Sequence, residues 1–196
     1  MPRVVDREAR RAEAVDALLD LIADEGIAAA TSRSLAHRLG MSNGALWRYF
    51  RDKDHLLSTA YRTVVERTNL RAEAALEGLD GVRAVQTLVT QLLPLDKTSQ
   101  KEARVVVNFW GSAATNASAS SGLGRPELAE WGARITTLLL AAIDAGELRT
   151  DTPVPVVATM LLSYTVSAQV EFVFQGRDAH PDISRPVSDL LDAFRA

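Results

Sequence analysis

The sequence predicts an all-α chain of about nine helices, with a small N-terminal three-helix domain ahead of a larger helical one. Three observations carry this expectation. Apolar residues recur at i, i+3 and i+4 along most of the 196 residues. No segment shows the period-two alternation of a half-buried strand. Glycine and proline fall where such stripes should stop or start, at Gly26, Gly40, Gly81, Pro94, Pro126 and Gly146.

The elements follow in order. Helix one is predicted over about 5–25, with Val15, Leu18, Leu19 and Ile22 inward and Gly26 as its stop. Thr31 can cap a short second helix whose Leu35, Ala36 and Leu39 face the core. Gly40 supplies the left-handed residue that ends it, and Met41 fills the angle. Ser42 caps a third helix, which points Leu46 and Phe50 inward and leaves Asn43, Gly44, Ala45, Trp47, Arg48 and Tyr49 on its other faces. Two short helices joined by a tight glycine turn are a helix-turn-helix, a shape that can enter the major groove of DNA. Gly44 lowers helix stability by about 1 kcal/mol relative to Ala, so close approach of another surface explains it better than propensity.

Asp52 is a good cap for a fourth helix over about 53–79, which puts Lys53 in the first turn. A cation there opposes the helix dipole unless a phosphate arrives to share it; the alternative is a solvated lysine balanced by Asp54. Further helices are predicted over about 81–93, 97–114, 126–145, 153–175 and 184–195, and the later part of 111–124, small and polar, should be a loop. The domain boundary is placed between residues 52 and 53, giving 1–52 and 53–196.

Composition narrows the class. Hydrophobic residues make up 47%, enough for a core, and the absence of cysteine excludes a disulfide scaffold. No apolar run is expected to reach the ~18–20 residues that cross a bilayer, and the first residues lack an export signal, so a cytoplasmic protein without a membrane partner is expected. The net charge of −3 divides unevenly: residues 1–53 hold nine Lys/Arg against eight Asp/Glu, whereas 54–196 hold 13 against 17. Between 31 and 53, five cations (Arg33, Arg38, Arg48, Arg51, Lys53) face one anion, Asp52, and Arg3, Arg7, Arg10 and Arg11 form a second basic cluster. Positive charge gathers where a nucleic-acid footprint would lie.

Residues 7–57 resemble the DNA-binding domain of the TetR family of bacterial transcriptional regulators. The resemblance rests on Gly26, Thr31-Ser32-Arg33-Ser34-Leu35-Ala36, the unbroken run from Leu39 to Phe50, and Lys53 with Leu56-Leu57. It implies that Thr31, Ser32, Arg33, Ser42, Asn43, Gly44, Ala45, Trp47, Arg48, Tyr49 and Lys53 meet the DNA. Trp47 stands where the family usually has Tyr, and Tyr49 where it often has His. Both keep a donor on an aromatic ring, which preserves phosphate contact and puts the preferred operator in question.

Further on, Leu92-Leu93-Pro94-Leu95-Asp96, Arg104, Phe109-Trp110 and Ala145-Gly146-Glu147-Leu148-Arg149 resemble the sensing domain of the subgroup that includes choline-responsive betaine-pathway repressors. The two resemblances together imply a homodimer through the eighth and ninth helices (153–175 and 184–195), a double-stranded inverted-repeat operator, and release by an unidentified small molecule. Ligand-binding candidates are Tyr61, Asn108, Trp110, Trp131, Thr137, Tyr164 and Gln169, aromatic bodies and polar tips of the kind small-molecule sites use; for each the alternative is ordinary core. No cofactor or metal is expected. An enzyme is disfavoured, because the chain shows no Gly-rich phosphate loop, nucleophile elbow or metal-ligand spacing, and His37, His55 and His180 are scattered.

Overall fold

A computed structural model describes residues 7–26, 30–115, 124–176 and 182–196. Among them are nine helices and no strand: α1 Arg7–Glu25, α2 Ser32–Arg38, α3 Asn43–Leu46, α4 Lys53–Leu76, α5 Gly81–Gln91, α6 Lys97–Thr115, α7 Arg125–Asp144, α8 Val154–Gln175 and α9 Arg185–Asp192. The helix expected over 97–114 ends at Thr115, and the later part of 111–124, expected as a loop, lies outside the described residues up to 123, as do Arg3 and the first two residues expected for helix one.

The chain forms two compact units, Met1–Val65 with Arg104–Ser121, and Glu66–Ala103 with Gly122–Ala196. The expected boundary at residue 53 coincides with the start of α4, whose first half belongs to the first unit and whose second half belongs to the other. The first unit closes on Val15, Leu18, Leu19 and Ile22 of α1, Leu35 and Ala36 of α2, Leu46, Phe50, and Leu56, Ala60 and Tyr61 of α4, all buried. The predicted inward faces are thus the buried ones, except that Leu39 is only half-buried.

In the second unit α5 packs on α7, α7 on α8, and α9 on α5. Val85 and Leu88, Ile135 and Leu139, Val157 and Leu161, and Val187 and Leu191 come together at 1% exposure or less. At about 25 cal/mol per Å² of apolar surface buried, side chains of this size contribute roughly 1.5–3 kcal/mol each. Glu147 ties two ends of this unit together. Its Oε2 accepts from Val82 N at 3.1 Å, where an anion favours the positive end of the α5 dipole. Gly81 must be glycine here: its φ is +57°, and a Cβ would collide with the Glu147 carboxylate.

One expectation fails at α8. This helix of 22 residues is long and apolar enough to cross a membrane, with a mean hydropathy of 1.4 over its best window. Ser, Thr and Gln interrupt its apolar run, so no uninterrupted span stands out in the sequence although the mean hydropathy is high. One stripe, including Val157, Leu161, Ala168 and Phe172, is buried in the unit's core. The opposite side carries Val156 at 55%, Met160 at 50% and Phe174 at 80% exposure.

Candidate nucleic-acid interface

The turn between α2 and α3 is specified by local chemistry. Thr31 Oγ1 accepts from Ser34 N at 3.1 Å and caps α2. At the other end Gly40 N donates to His37 O at 3.0 Å and Met41 N to Ala36 O at 2.9 Å, with Gly40 at φ +64°. These two bonds are the Schellman arrangement, and they fix the direction in which the chain leaves α2. Ser42 Oγ then accepts from Ala45 N at 3.2 Å and starts α3. Thr31 and Ser42 therefore use their side-chain oxygens on the protein's own backbone.

Only Asn43–Leu46 of the expected third helix is α-helical. The next turn tightens through Arg48 N to Ala45 O at 3.3 Å and Tyr49 N to Leu46 O at 3.0 Å. Two arginines of α1 close it: Arg7 Nη2 donates to Arg48 O at 3.0 Å, and Arg11 Nε donates to Tyr49 O at 3.1 Å. Cations at carbonyls that end a helix suit both hydrogen bonding and dipole. Composition had assigned these arginines to a basic footprint; no pattern in the sequence links positions 38 and 41 residues apart. Arg51 N donates to His55 Nδ1 at 3.2 Å, and His55 N to Asp52 Oδ1 at 2.7 Å, so Asp52 caps α4 as expected. Burial, followed by the charges of Arg51 and Arg11, lowers the His55 pKa below the ordinary 6.5. The neutral ring is also the form that can accept from Arg51 N.

Asn43, Gly44 and Arg48 are exposed, as are Thr31, Arg33, Ser42 and Lys53; Ser32, Ala45, Trp47 and Tyr49 are half-buried. A Cβ on Gly44 would meet nothing within 4 Å, so no neighbour in the unit demands glycine there. The cations are not equal. Arg38 is paired with Asp24 at 3.0 Å and Glu25 at 3.3 Å, and Arg10 with Glu13 at 2.6 Å. Arg33, Arg48 and Lys53 make no ion pair among the described residues.

The ligand-binding candidates divide between the units. In the first, Tyr61 is buried and stacks on Phe109 at 4.1 Å between centroids, and Asn108 Nδ2 donates to Arg104 O at 2.7 Å. Trp110 Nε1 is buried without a hydrogen-bond partner among the described residues. In the second, the Arg134 guanidinium covers Trp131 at 4.8 Å, and Thr137 is exposed and donates to Ala133 O at 3.0 Å. Tyr164 Oη donates to Ile183 O at 2.7 Å, and Gln169 Nε2 donates to Leu92 O at 2.9 Å at the end of α5. Burial raises the Tyr164 pKa, with smaller contributions from Glu171 and Asp182.

Comparison with known proteins places this arrangement in a family. Residues 14–60 match the bacterial regulatory proteins of the tetR family, and residues 82–181 match the C-terminal domain of BetI-type transcriptional repressors. The transcriptional regulator BetI of Paraburkholderia phytofirmans is 34% identical over 114 residues, 56% of this chain and 57% of the relative. The regulator PksA of Bacillus subtilis is 30% identical over 110 residues, 56% of this chain and 54% of the relative. These matches span little more than half the length of the curated relatives. A transcriptional regulator from Saccharomonospora viridis, crystallised in complex with choline, shares the fold with a TM-score of 0.85 at 20% identity, over 96% of this chain and 99% of that one. The chain belongs to the TetR family of bacterial regulatory proteins, and its C-terminal part is of the BetI type.

Proposed function

We propose that the chain is a homodimeric transcriptional repressor that reads an inverted-repeat operator through α3 and releases it when a small molecule binds. The observation that carries the reading is the exposed face of α3 and the start of α4. There Asn43, Gly44, Arg48 and Lys53 face outward, and neither cation is spent on an ion pair among the described residues. The Asn43 amide can pair bidentately with adenine, Arg48 can reach a base edge or phosphate, and Lys53 supplies a point charge to the backbone. Footprinting on genomic DNA, followed by titrations of Arg48→Ala and Lys53→Ala, tests this. One protected inverted repeat is expected, and Lys53→Ala should flatten the salt dependence by about one unit of slope. Wild-type operator affinity in both variants would refute the interface.

The outward face of α8 supports the dimer. Val156, Met160, Val170 and Phe174 alternate there with Ser163 and Ser167, and α7 presents Ala133, Leu140 and Ala141 to solvent. Small residues among large apolar ones let helices of a second copy approach closely. Val166, Val170 and Val173 are half-buried on α8, whereas Leu190 packs against the core of its own unit. The exposed residues of α9 include Arg185 and Asp189, so α7 is the better partner of α8 in this interface. A two-fold axis through such a bundle would present two copies of α3 to two half-sites.

For the inducer, a site in the C-terminal part remains the reading, with the seven aromatic and polar candidates as its pool. Choline, held by the Saccharomonospora protein, is the first compound to titrate. By reciprocity, an inducer must bind the operator complex more weakly by the factor by which it weakens operator binding, typically ~1–3 kcal/mol of coupling.

A further inference from the structure

We propose that the first unit carries a binding site for an amphipathic carboxylate, in a cavity between α1, the start of α4 and α6. The cavity measures about 470 Å³, within the range of small-molecule sites. Its apolar walls are Leu18 and Ile22 of α1, Leu56 and Leu57 of α4, and Val107 of α6. Leu18, Ile22 and Leu56 are 5% exposed or less, so these walls are fixed by the core behind them.

Three further observations give the occupant its chemistry. Lys53 shares the lining and makes no ion pair among the described residues, whereas the neighbouring Asp54 is already engaged by a partner. Lys53 thus brings a cation without an ionic partner to the lining, and the Ser32 hydroxyl and the Asn108 amide add polar groups beside it. Gly111 leaves the wall open on α6: a Cβ there would meet nothing within 4 Å. Glycine inside a helix lowers stability by about 1 kcal/mol relative to alanine, and its φ is not in the left-handed range that would require it. An apolar tail along α1 and α6 with a carboxylate on the Lys53 ammonium satisfies the whole lining. Trp47 also borders the cavity, so with Ser32 and Lys53 an occupant touches three residues of the DNA-facing set. On the operator reading above, it would compete with phosphate for Lys53 directly.

The experiment is calorimetric titration of the full chain with decanoate, without DNA, so that its outcome does not depend on the operator reading. Decyltrimethylammonium is the charge-reversed probe. Saturable decanoate binding is expected, with the ammonium weaker by about tenfold or more. Gly111→Leu, which fills open space, should abolish binding, and Val107→Phe gives an independent filling variant; helical circular dichroism confirms that each folds. Lys53→Met, which keeps the apolar stem, should weaken decanoate by about tenfold and leave the ammonium unchanged. Absence of saturable decanoate binding, preference for the ammonium, or decanoate binding indifferent to both filling variants would each overturn the proposal.

Discussion

Replacing Arg11 separates two roles that its charge alone leaves confounded. Arg11 Nε donates to Tyr49 O at 3.1 Å, across 38 residues, and its side chain is part-buried. A hydrogen bond from a charged donor contributes about 1.5–3 kcal/mol when shielded, and water reaching the half-buried Tyr49 brings the expected loss to the lower end. Arg11→Ala should therefore lower unfolding stability by about 1–2 kcal/mol, a fall in melting temperature of roughly 2–8 °C for a chain this size. With the end of α3 released, operator affinity should drop by about tenfold, because base-reading groups lose their fixed placement. The slope of log affinity against log salt should not change, since no phosphate contact is removed. The assays are urea unfolding and operator titration at several salt concentrations. Arg11→Lys keeps the charge but lacks Nε, and it should behave like the alanine variant. A slope reduced by about one unit at unchanged stability would show that Arg11 is a phosphate ligand and refute the positioning role.

Val170→Glu and Met160→Glu, on the outward face of α8, should give folded monomers in sedimentation and lose operator binding; a dimeric Met160→Glu would move the interface elsewhere. Glu102, whose carboxylate accepts from Arg71 Nη2 at 2.8 Å, has its pKa raised above 4.5 by burial, which outweighs the guanidinium. Its contribution to stability is thus present below pH 4.5 and lost as pH rises through the raised value, so the stability of Glu102→Gln relative to wild type should improve from pH 4 to 7. A relative stability moving the other way in urea unfolding would mean that the ion pair wins. His55 has the opposite sign: its contribution is full above pH 6.5 and lost as pH falls through the lowered value, so His55→Gln should flatten the acid side of the stability profile, and an unchanged profile would count against it.

What the sequence made legible is what short-range chemistry decides. Thr31, Ser42 and Asp52 cap the helices assigned to them because a cap reaches two or three residues ahead. Gly40 ends α2 for an equally local reason, with partners no further away than Ala36. The buried stripes followed because helical spacing alone sets which side chains share a face. Charge behaved otherwise. Five cations between 31 and 53 look like a uniform footprint, yet Arg38 is matched by Asp24 and Glu25, acids that belong to α1 and lie outside that stretch of sequence.

The ligand candidates show the same limit from the polar side. Tyr164 and Gln169 have tips suited to a ligand, but a donor cannot be judged free until every carbonyl near it in space is known. Ile183 O lies 19 residues from Tyr164 and Leu92 O lies 77 from Gln169. Trp110 and Trp131 are both candidates by residue type, yet they belong to different compact units and Trp131 already has a guanidinium on its face. Lys53 and Trp47 were singled out for DNA without any sign that α6, more than fifty residues on, would complete a cavity with them. In each case the residue type was informative about chemistry and silent about its partner, because burial of apolar stripes determines which polar groups meet. A polar side chain in such a helical chain is therefore a candidate for binding only after the backbone acceptors around it are accounted for. By that criterion Arg48 and Lys53 keep their candidacy, while Tyr164 and Gln169 must first surrender a bond that holds their own unit together.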